Sequence, residues 1–452
     1  MPRFLLTNAS IVTGESSFRG SLGIDGERIA GIWRETSPGF PDAEVIDLGG
    51  KVLMAGGIDA HVHFREPGMT AKADIGSESR AALTGGITSF MDMPNTNPPT
   101  TSMEAVEDKL SRAASSSWAN YGFHFGATNS NQGLINGYLE AGLGTRFAGI
   151  KVFMGSSTGN ILVDDRTTLE QLFRIKGRPI LVHCEDEGII RDNLRKAGSR
   201  FGEDIPFSFH PSIRSREACV ESTRKALELA IRYGTRLHLL HISTAEEVGM
   251  IREAKAVNPA ITAETSANYL WFCDEDYPLM GGRLKCNPSI KTVKDRDALI
   301  KAFADGTIDT IGSDHAPHLL SEKERPYLQC PSGIPSVGQS LAALLTIASR
   351  EGIPMGRIAS AFSENPARIF GLEDRGFLKE GYFADLVVID PSKEYTAGTP
   401  AYKCGWSPYE GAVFKGSVDM VWINGTLAVE GGTMRVGRDD CRPQPLRFRY
   451  TD

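Results

Sequence analysis

The sequence predicts an α/β fold, a (β/α)8 TIM barrel flanked by a small β-sandwich domain that both ends of the chain build together. Three observations predict this fold: a length of 452 residues, alternating β-rich and helical patterns in the middle, and β-like segments at both ends. A barrel of this type takes about 250 residues, which leaves chain for a second unit. We therefore expect the barrel at residues 53–370 and the β-sandwich domain at residues 1–52 and 371–452.

The two ends of the chain consist of short apolar segments separated by turns. In the first fifty residues, strands are predicted at 4–11, 21–24, 29–33 and 45–48. In the tail, strands are predicted at 376–378, 384–390, 413–414 and 420–423. The pairs Asp25-Gly26 and Asn424-Gly425 are typical of hairpin turns. We expect the strands of the head and the tail to pair in one small sheet domain.

The central part of the chain alternates eight short strands with helical patterns, which is typical of a parallel sheet with crossover helices. The strands are predicted to end near His61, Asn95, Ala127, Lys151, His183, His241, Thr265 and Asp314. The helical patterns lie at 76–84, 102–115, 168–175, 217–233, 245–257 and 295–303. An open doubly wound sheet is the alternative, but eight units in one series favour a closed barrel.

Composition argues against several classes of protein. The net charge is −7 and no long basic run occurs, so we expect no nucleic-acid partner. No segment approaches about 18 uninterrupted apolar residues, so we expect no membrane span. The seven cysteines are scattered without a CxxC pair, which is typical of reduced thiols and predicts a cytoplasmic protein.

The segment His61-Val62-His63 ends the first predicted barrel strand. Alternate residues of a strand point to the same side, so both imidazoles face one direction. Neutral imidazole is a good zinc ligand, and two from one strand form half of a metal site. An isolated HxH pattern is a weak signal, but its place at a strand end strengthens the interpretation, since catalytic groups of barrels lie at that mouth.

Three further strand ends carry groups with metal chemistry. His183 and His241 each close an apolar strand, where a lone histidine is more often structural; we assign that structural role to His238. Two such histidines together with the HxH pattern favour a metal site. Asp314 ends the last strand and can bind a metal ion and move a proton, although an isolated aspartate there would more often cap a helix.

Lys151 differs from the other residues at the strand ends because a charged ammonium would be repelled by metal cations. One interpretation is a surface lysine or a lysine that contacts substrate. The other is that the neutral amine has reacted with CO₂, which would turn a cation into a bridging carboxylate.

These motifs resemble the amidohydrolase superfamily and, within it, the dihydroorotases of the long, multi-domain type. The resemblance runs from Asn8 to about Val421 and is most specific at residues 59–68, Asp-Ala-His-Val-His-Phe-Arg-Glu-Pro-Gly. Further matching motifs lie at residues 93–96, 182–185, 241–244, 287–288, 313–318, 331–333 and 380–388.

The resemblance implies a centre with two zinc ions that share a water molecule. The implied ligands are His61, His63 and Asp314 for one zinc, His183 and His241 for the other, and carboxylated Lys151 (N6-carboxylysine) as the bridge. Asp314 is implied as the catalytic group that moves a proton to the leaving ring nitrogen. The implied reaction is the reversible cyclisation of N-carbamoyl-L-aspartate to L-dihydroorotate in pyrimidine (UMP) synthesis. Some dihydroorotases have Asp at the position of Lys151, so the bridge differs within the family.

The resemblance also implies the residues that bind substrate. Arg65 is implied to grip the carboxylate that dihydroorotate carries outside its amide ring. Asn95 and His318 are expected to assist with this carboxylate, and Asn287 and Gly333 with the ring. Allantoinases resemble this segment but typically do not place Arg there, and hydantoinases lack the whole Phe-Arg-Glu-Pro-Gly run. A surface salt bridge is the structural alternative for Arg65.

Two other functions stay open at this point. One is a different cyclic amidohydrolase, such as an allantoinase or a dihydropyrimidinase (hydantoinase), against which Arg65 argues. The other is a catalytically silent dihydroorotase-like scaffold subunit, which the complete set of potential ligands disfavours. We also expect a homo-oligomer, a dimer or tetramer, and a possible association with another pyrimidine-pathway enzyme. Asn268 stands where many relatives have histidine, and we assign it no role.

Overall fold

The computed structural model describes residues 3–34, 39–155 and 161–450. The head of the chain forms five strands, β1 (Arg3–Val12), β2 (Ser17–Asp25), β3 (Arg28–Trp33), β4 (Glu44–Asp47) and β5 (Val52–Ala55). β1 pairs antiparallel with β2 and parallel with β4 and β5. The predicted turn between β2 and β3 is present, and Gly26 takes the positive φ of 61° that the turn requires.

The barrel strands are short, and all of their residues except the half-buried Thr262 are buried. They are β6 (Gly57–Val62), β7 (Ile87–Asp92), β8 (Asn120–Phe123), β9 (Phe125–Gly126), β10 (Ile150–Phe153), β11 (Ile180–His183), β12 (Leu237–Leu239), β13 (Thr262–Thr265) and β14 (Thr310–Ile311). β8 and β9 are two parts of one strand interrupted at His124, so the nine segments make eight parallel strands. The ring closes where Val62 bridges His315 in parallel and His63 N donates to His315 O at 2.8 Å. The predicted closed barrel is confirmed.

The helices are α1 (Ile75–Thr84), α2 (Met103–Ser116), α3 (Gln132–Glu140), α4 (Arg166–Phe173), α5 (Glu187–Phe201), α6 (His210–Ile213), α7 (Arg216–Tyr233), α8 (Ala245–Val257), α9 (Ala267–Trp271), α10 (Tyr277–Met280), α11 (Val293–Asp305), α12 (Leu320–Lys323), α13 (Ser340–Glu351), α14 (Met355–Ala359), α15 (Asn365–Ile369) and α16 (Arg438–Cys441). All six predicted helices are among them. Side-chain caps begin several: Asp74 and Thr292 each complete a capping box, at α1 and α11.

The tail forms β15 (Leu386–Thr396), β16 (Val413–Ile423), β17 (Thr426–Glu430) and β18 (Thr433–Met434). β15 pairs antiparallel with β5, which joins head and tail in one nine-stranded sheet, as predicted. The turn between β16 and β17 is Asn424-Gly425, with φ angles of 47° and 75°. The expected strand at 376–378 is wrong: Gly376 has φ 82°, outside the extended region. The strands expected at 413–414 and 420–423 are one continuous strand, β16.

Buried apolar residues from both ends of the chain share a core, in which the rings of Phe4 and Trp422 lie 6.3 Å apart. The last residues of the tail return to the barrel, where Leu446 and Phe448 pack against Ile58 of the first barrel strand. All seven cysteines are free thiols with buried side chains. In the described part of the chain, no helix has both the length and the apolar character to cross a membrane.

Candidate active site

The C-terminal ends of β6 and β14 bring together two histidines and an aspartate. The Nε2 atoms of His61 and His63 lie 3.3 Å and 3.2 Å from Oδ1 of Asp314. Both histidines are buried, and the potential ligand atoms of all three residues lie within 4.8 Å of one another. The period-two argument is therefore confirmed for the geometry of His61 and His63, since both imidazoles face the same carboxylate.

The outer nitrogen of each of these imidazoles is held by a second residue. Nδ1 of His61 donates to Glu264 Oε1 at 2.7 Å, and Nδ1 of His63 donates to Asn95 Oδ1 at 2.7 Å. An N–H at Nδ1 leaves the lone pair at Nε2 for a cation, which is the usual arrangement behind metal-binding histidines. Burial raises the pKa of Glu264, but His61 and His238 oppose it and hold that pKa at about 2, so the carboxylate is an acceptor.

The other two histidines meet beside His61. Nδ1 of His183 lies 2.8 Å from Nε2 of His241, and the ring centroids of His61 and His241 are 5.4 Å apart. Nε2 of His183 donates to Glu185 Oε2 at 3.0 Å, so its Nδ1 carries the lone pair. Burial lowers the pKa of both histidines, so both are neutral imidazoles. Among the described residues, the buried Nδ1 of His241 has no hydrogen-bond partner.

Two of these ligand-bearing residues have strained backbones: His241 has φ 41° and Asp314 has φ 47°. Positive φ is uncommon outside glycine and persists where surrounding contacts impose it. The buried carboxylate of Asp59 supplies such a contact, because it accepts hydrogen bonds from Ser313 N and His61 N, each at 3.1 Å. Desolvation raises the pKa of Asp59 to about 7. Asp59 thus ties the first strand to the residue that precedes Asp314.

Lys151 lies on β10 and is 1% exposed. Burial lowers the pKa of its amine to about 7, against the opposing charges of Asp314 and Glu264. Its Nζ lies 4.5 Å from the ring centroid of Phe153, and within the described part of the chain it makes no hydrogen bond or ion pair. The ring of Phe153 in turn lies 6.0 Å from that of His183, which places the amine close to one of the predicted ligands.

The donor set fits divalent metal ions. The first group, His61, His63 and Asp314, offers two imidazole nitrogens and a carboxylate that converge on one point. The second group, His183 and His241, offers only two imidazole nitrogens, so an ion there needs a further ligand. A carbamate on the unpartnered amine of Lys151 is a group that would supply it.

A cavity opens beside the first group. It is lined by His63, Arg65, Asn95, Cys286, Asn287, Asp314, Ala316, Ser332 and Gly333. Four of the five predicted substrate residues therefore lie at one cavity with two predicted metal ligands. Gly333 has φ 145°, and a Cβ there would lie 2.3 Å from Ala316 O, so glycine is required at this wall. A larger cavity between α4, α5 and α7 contains none of the predicted site residues.

Arg65 as a whole residue is 2% exposed, and burial lowers the pKa of its guanidinium to about 10. Nε donates to Pro317 O at 3.1 Å, and Nη2 lies 3.0 Å from Nε2 of His318. Among the described residues, no carboxylate or other acceptor pairs with Nη1 of Arg65. A buried cation without a counter-ion is costly, so this arrangement suits an anionic ligand. Hence the structural alternative of a surface salt bridge is wrong for Arg65.

The fifth predicted substrate residue, His318, packs behind Arg65 and is absent from the lining of the cavity. Asn287 lines the cavity, and its buried Oδ1 lacks a hydrogen-bond partner among the described residues, so this oxygen is available to a ligand. Oδ1 of Asn95 already accepts the hydrogen bond from Nδ1 of His63.

Sequence reasoning missed Glu264, Glu185 and Asp59. Each is an acid inside or just after an apolar strand, and a buried acid in such a position was the signal that could have found them. Asn268, to which no role was assigned, accepts from the Tyr409 hydroxyl at 2.7 Å through its Oδ1.

Comparison with known proteins matches nearly the whole chain to one protein family. The family model described as the amidohydrolase family matches residues 52–428. The dihydroorotase of Methanosarcina acetivorans is 33% identical over 96% of this chain and 94% of that protein. The allantoinase of Deinococcus radiodurans is 31% identical over 95% of each chain. The structure of the L-hydantoinase (dihydropyrimidinase) from Arthrobacter aurescens matches with a TM-score of 0.91 at 25% identity, covering 99% of this chain and 100% of that one.

Proposed function

The chain belongs to the amidohydrolase family and is a hydrolase that acts on cyclic amides, and from this premise we propose that it is a dihydroorotase. The reaction is the reversible cyclisation of N-carbamoyl-L-aspartate to L-dihydroorotate in pyrimidine synthesis. The expected homo-oligomer and the association with another enzyme of that pathway are part of this proposal and rest on the resemblance alone.

The observation that carries the proposal is the buried guanidinium of Arg65 beside the predicted metal ligands. Dihydroorotate bears a carboxylate outside its amide ring, and a guanidinium can bind it through two parallel hydrogen bonds. The Nη1 atom, which lacks a partner among the described residues, and the Nη2 atom beside it are the donors for this contact. A neutral ring in the same cavity would leave the charge of Arg65 without a counter-ion.

We further propose that the protein binds two zinc ions. His61, His63 and Asp314 would hold one, His183 and His241 the other, and N6-carboxylated Lys151 would contribute to both. When bound, the ions supply Lewis acidity, which activates water and polarises the ring carbonyl.

The remaining steps belong to side chains of the chain itself. Burial raises the pKa of Asp314, but His61 and His63 outweigh it and keep that pKa below its usual value, so the carboxylate is ionised at neutral pH. Asp314 accepts a proton from the attacking water and transfers it to the leaving ring nitrogen. Arg65 fixes the orientation of the substrate, and Asn95, Asn287 and the backbone at Gly333 line the space for its ring.

A different cyclic amide is the second candidate substrate, because the chain also resembles an allantoinase and a hydantoinase over nearly its whole length. Arg65 separates the candidate substrates, because neither allantoin nor dihydrouracil bears a carboxylate that its guanidinium could bind. An inactive scaffold is disfavoured because all six predicted ligand side chains are present.

The deciding experiment compares L-dihydroorotate, allantoin and dihydrouracil as substrates of the purified, zinc-loaded protein. We expect turnover of dihydroorotate to exceed that of the other two by at least roughly tenfold, in line with the loss of charge-assisted hydrogen bonds. The opposite reaction, in which added N-carbamoyl-L-aspartate cyclises to dihydroorotate, should be measurable in the same assay. Preference for allantoin or dihydrouracil would contradict the proposal.

A further inference from the structure

His318 lies between two cationic side chains at the back of the substrate cavity. Its Nδ1 atom is 2.9 Å from Lys72 Nζ, and its Nε2 atom is 3.0 Å from Arg65 Nη2. Nε2 is also 3.1 Å from the carbonyl oxygen of Ser332. Burial, together with the charges of Arg65, Lys323 and Lys72, lowers the pKa of His318 well below its ordinary value. The ring is therefore neutral, with one donor nitrogen and one acceptor nitrogen.

These contacts do not suit both tautomers equally. An ammonium only donates, so the contact with Lys72 requires a lone pair at Nδ1 and puts the proton on Nε2. The Nε2–H then donates to Ser332 O. In the other tautomer Nε2 would accept from Arg65, but an N–H at Nδ1 would face the Lys72 ammonium and Ser332 O would lose its donor. Two of the three contacts thus favour the Nε2–H form.

The tautomer decides whether His318 competes for the guanidinium of Arg65. An Nε2–H has no lone pair, so the nearby Nη2 hydrogens of Arg65 have no acceptor on this ring. We propose that Lys72 is a positioning residue that fixes His318 as the Nε2–H tautomer and thereby keeps the Arg65 guanidinium available for the substrate carboxylate. The inference rests on the proposed function, because it assigns Lys72 a part in recognising an anionic substrate.

Glu322 gives the reason why loss of Lys72 should reverse the tautomer. Its Oε1 pairs with Lys72 Nζ at 2.8 Å, and its Oε2 lies 3.8 Å from Nδ1 of His318. With the ammonium removed, the charged group nearest to Nδ1 is a carboxylate, which favours an N–H there. Nε2 then becomes an acceptor for Arg65, and the substrate has to displace that hydrogen bond.

The first test reads the tautomer directly. Side-chain ¹⁵N spectra of the histidines are recorded for the unmodified protein and for Lys72→Met, with His318→Gln used to assign the resonances. We expect the Nε2–H pattern in the unmodified protein and a shift towards the Nδ1–H pattern in Lys72→Met. Lys72→Arg keeps a permanent donor and should retain the original pattern. Glu322→Gln should retain it too, because the ammonium stays.

The second test reads substrate binding. Lys72→Met should raise KM for dihydroorotate by roughly tenfold, the equivalent of one hydrogen bond, while kcat stays within about twofold. Lys72→Arg should keep the KM of the unmodified protein. The matched control is Lys403→Met, which removes a nearby lysine paired with Asp74 at 2.7 Å but contacts neither Arg65 nor His318. Thermal melting of each variant excludes a general loss of fold.

The outcomes separate this inference from the proposed function. Absence of dihydroorotate turnover in the unmodified protein contradicts the proposed function. An Nδ1–H pattern in the unmodified protein overturns the inference whatever the substrate is. An unchanged KM in Lys72→Met, with normal turnover in the unmodified protein, overturns it as well. If Lys72→Met fails to fold, Lys72→Ala replaces it: it also removes the ammonium, so the Nδ1–H pattern and the raised KM should both appear, and an unchanged tautomer and KM would overturn the inference.

Discussion

Nδ1 of His183 and Nε2 of His241 lie 2.8 Å apart, so two buried imidazoles turn nitrogen atoms to the same point. Burial lowers the pKa of both rings, which leaves them neutral. Two lone pairs at this distance repel each other unless a proton or a metal ion lies between them. The pair can therefore share a proton on Nε2 of His241 or hold a cation. Because both rings are neutral, a cation would move that proton to Nδ1 of His241, which has no partner among the described residues, and no net proton release is expected.

The first prediction concerns this pair. His241→Ala removes one of only two protein nitrogens in the second group, so bound metal should fall from two ions to about one per chain and activity should be nearly lost. Elemental analysis of purified protein measures the metal. His210→Gln is the matched control: His210 is a buried histidine whose Nδ1 contacts the Tyr327 hydroxyl at 2.7 Å and whose Nε2 lies 2.8 Å from Cys286 O, and both ions should remain. Two ions in His241→Ala would contradict the assignment.

The second prediction concerns Asp314. Asp314→Asn keeps the shape but removes the proton acceptor, so turnover should fall by roughly 10² or more. Steady-state kinetics measure this, and circular dichroism checks the fold. Asp305→Asn, at an exposed ion pair with Arg252, should have no effect on turnover. Near-native turnover of Asp314→Asn at full metal occupancy would exclude the proposed role.

The third prediction concerns Arg65. Arg65→Lys keeps the charge but loses the planar fork, so binding of dihydroorotate should weaken by about 1–3 kcal/mol. The loss should be confined to ligands that carry the carboxylate, which inhibition by paired cyclic ureides with and without a carboxylate can measure. If an uncharged ureide is weakened equally, Arg65 shapes the cavity and does not recognise the anion.

The fourth prediction concerns Glu264, which orients His61 from 2.7 Å. Glu264→Gln can still accept a hydrogen bond but loses the charge, so metal affinity should fall by roughly 10–100-fold. Competition with a chelator measures this affinity. Glu253→Gln, at a solvent-exposed position on α8, is the control and should bind metal normally. Unchanged affinity in Glu264→Gln would mean that the backbone alone orients His61.

Some of this site follows from local sequence, and some does not. His61 and His63 share a face because residues alternate along a strand, so their convergence was predictable. His241 and Asp314 follow strands that have already ended, and their positive φ values, 41° and 47°, set directions that no alternation rule gives. The pairing of His61 with Glu264 joins residues 203 positions apart, so only the closed barrel brings them together.

The same limit explains the position of His318. The resemblance implied that His318 assists with the substrate carboxylate, but the sequence does not indicate that Arg65 lies between His318 and the cavity. The wrong strand at 376–378 has a local cause: apolar residues follow Gly376, whose φ of 82° is incompatible with an extended strand.

The last prediction concerns Lys151, whose amine is buried and lacks a hydrogen-bond partner among the described residues. An ammonium would repel two divalent ions, whereas a carbamate would bind them. Burial lowers the pKa of this amine to about 7, so the neutral form that reacts with CO₂ is well populated at neutral pH. Lys151→Ala should therefore lose most bound metal and nearly all activity.

Chemical rescue distinguishes a missing carboxylate from a general defect. Formate or acetate added to Lys151→Ala should restore part of the metal and activity, because the absent group is only a bridging carboxylate. Lys151→Asp, which places a carboxylate on the same strand, should retain more metal than Lys151→Ala. Intact-mass measurement under mild conditions should show one added CO₂ in the unmodified protein. A fully active, fully metallated protein with a free Lys151 amine would contradict the carbamate, and another group would have to complete the second set of ligands.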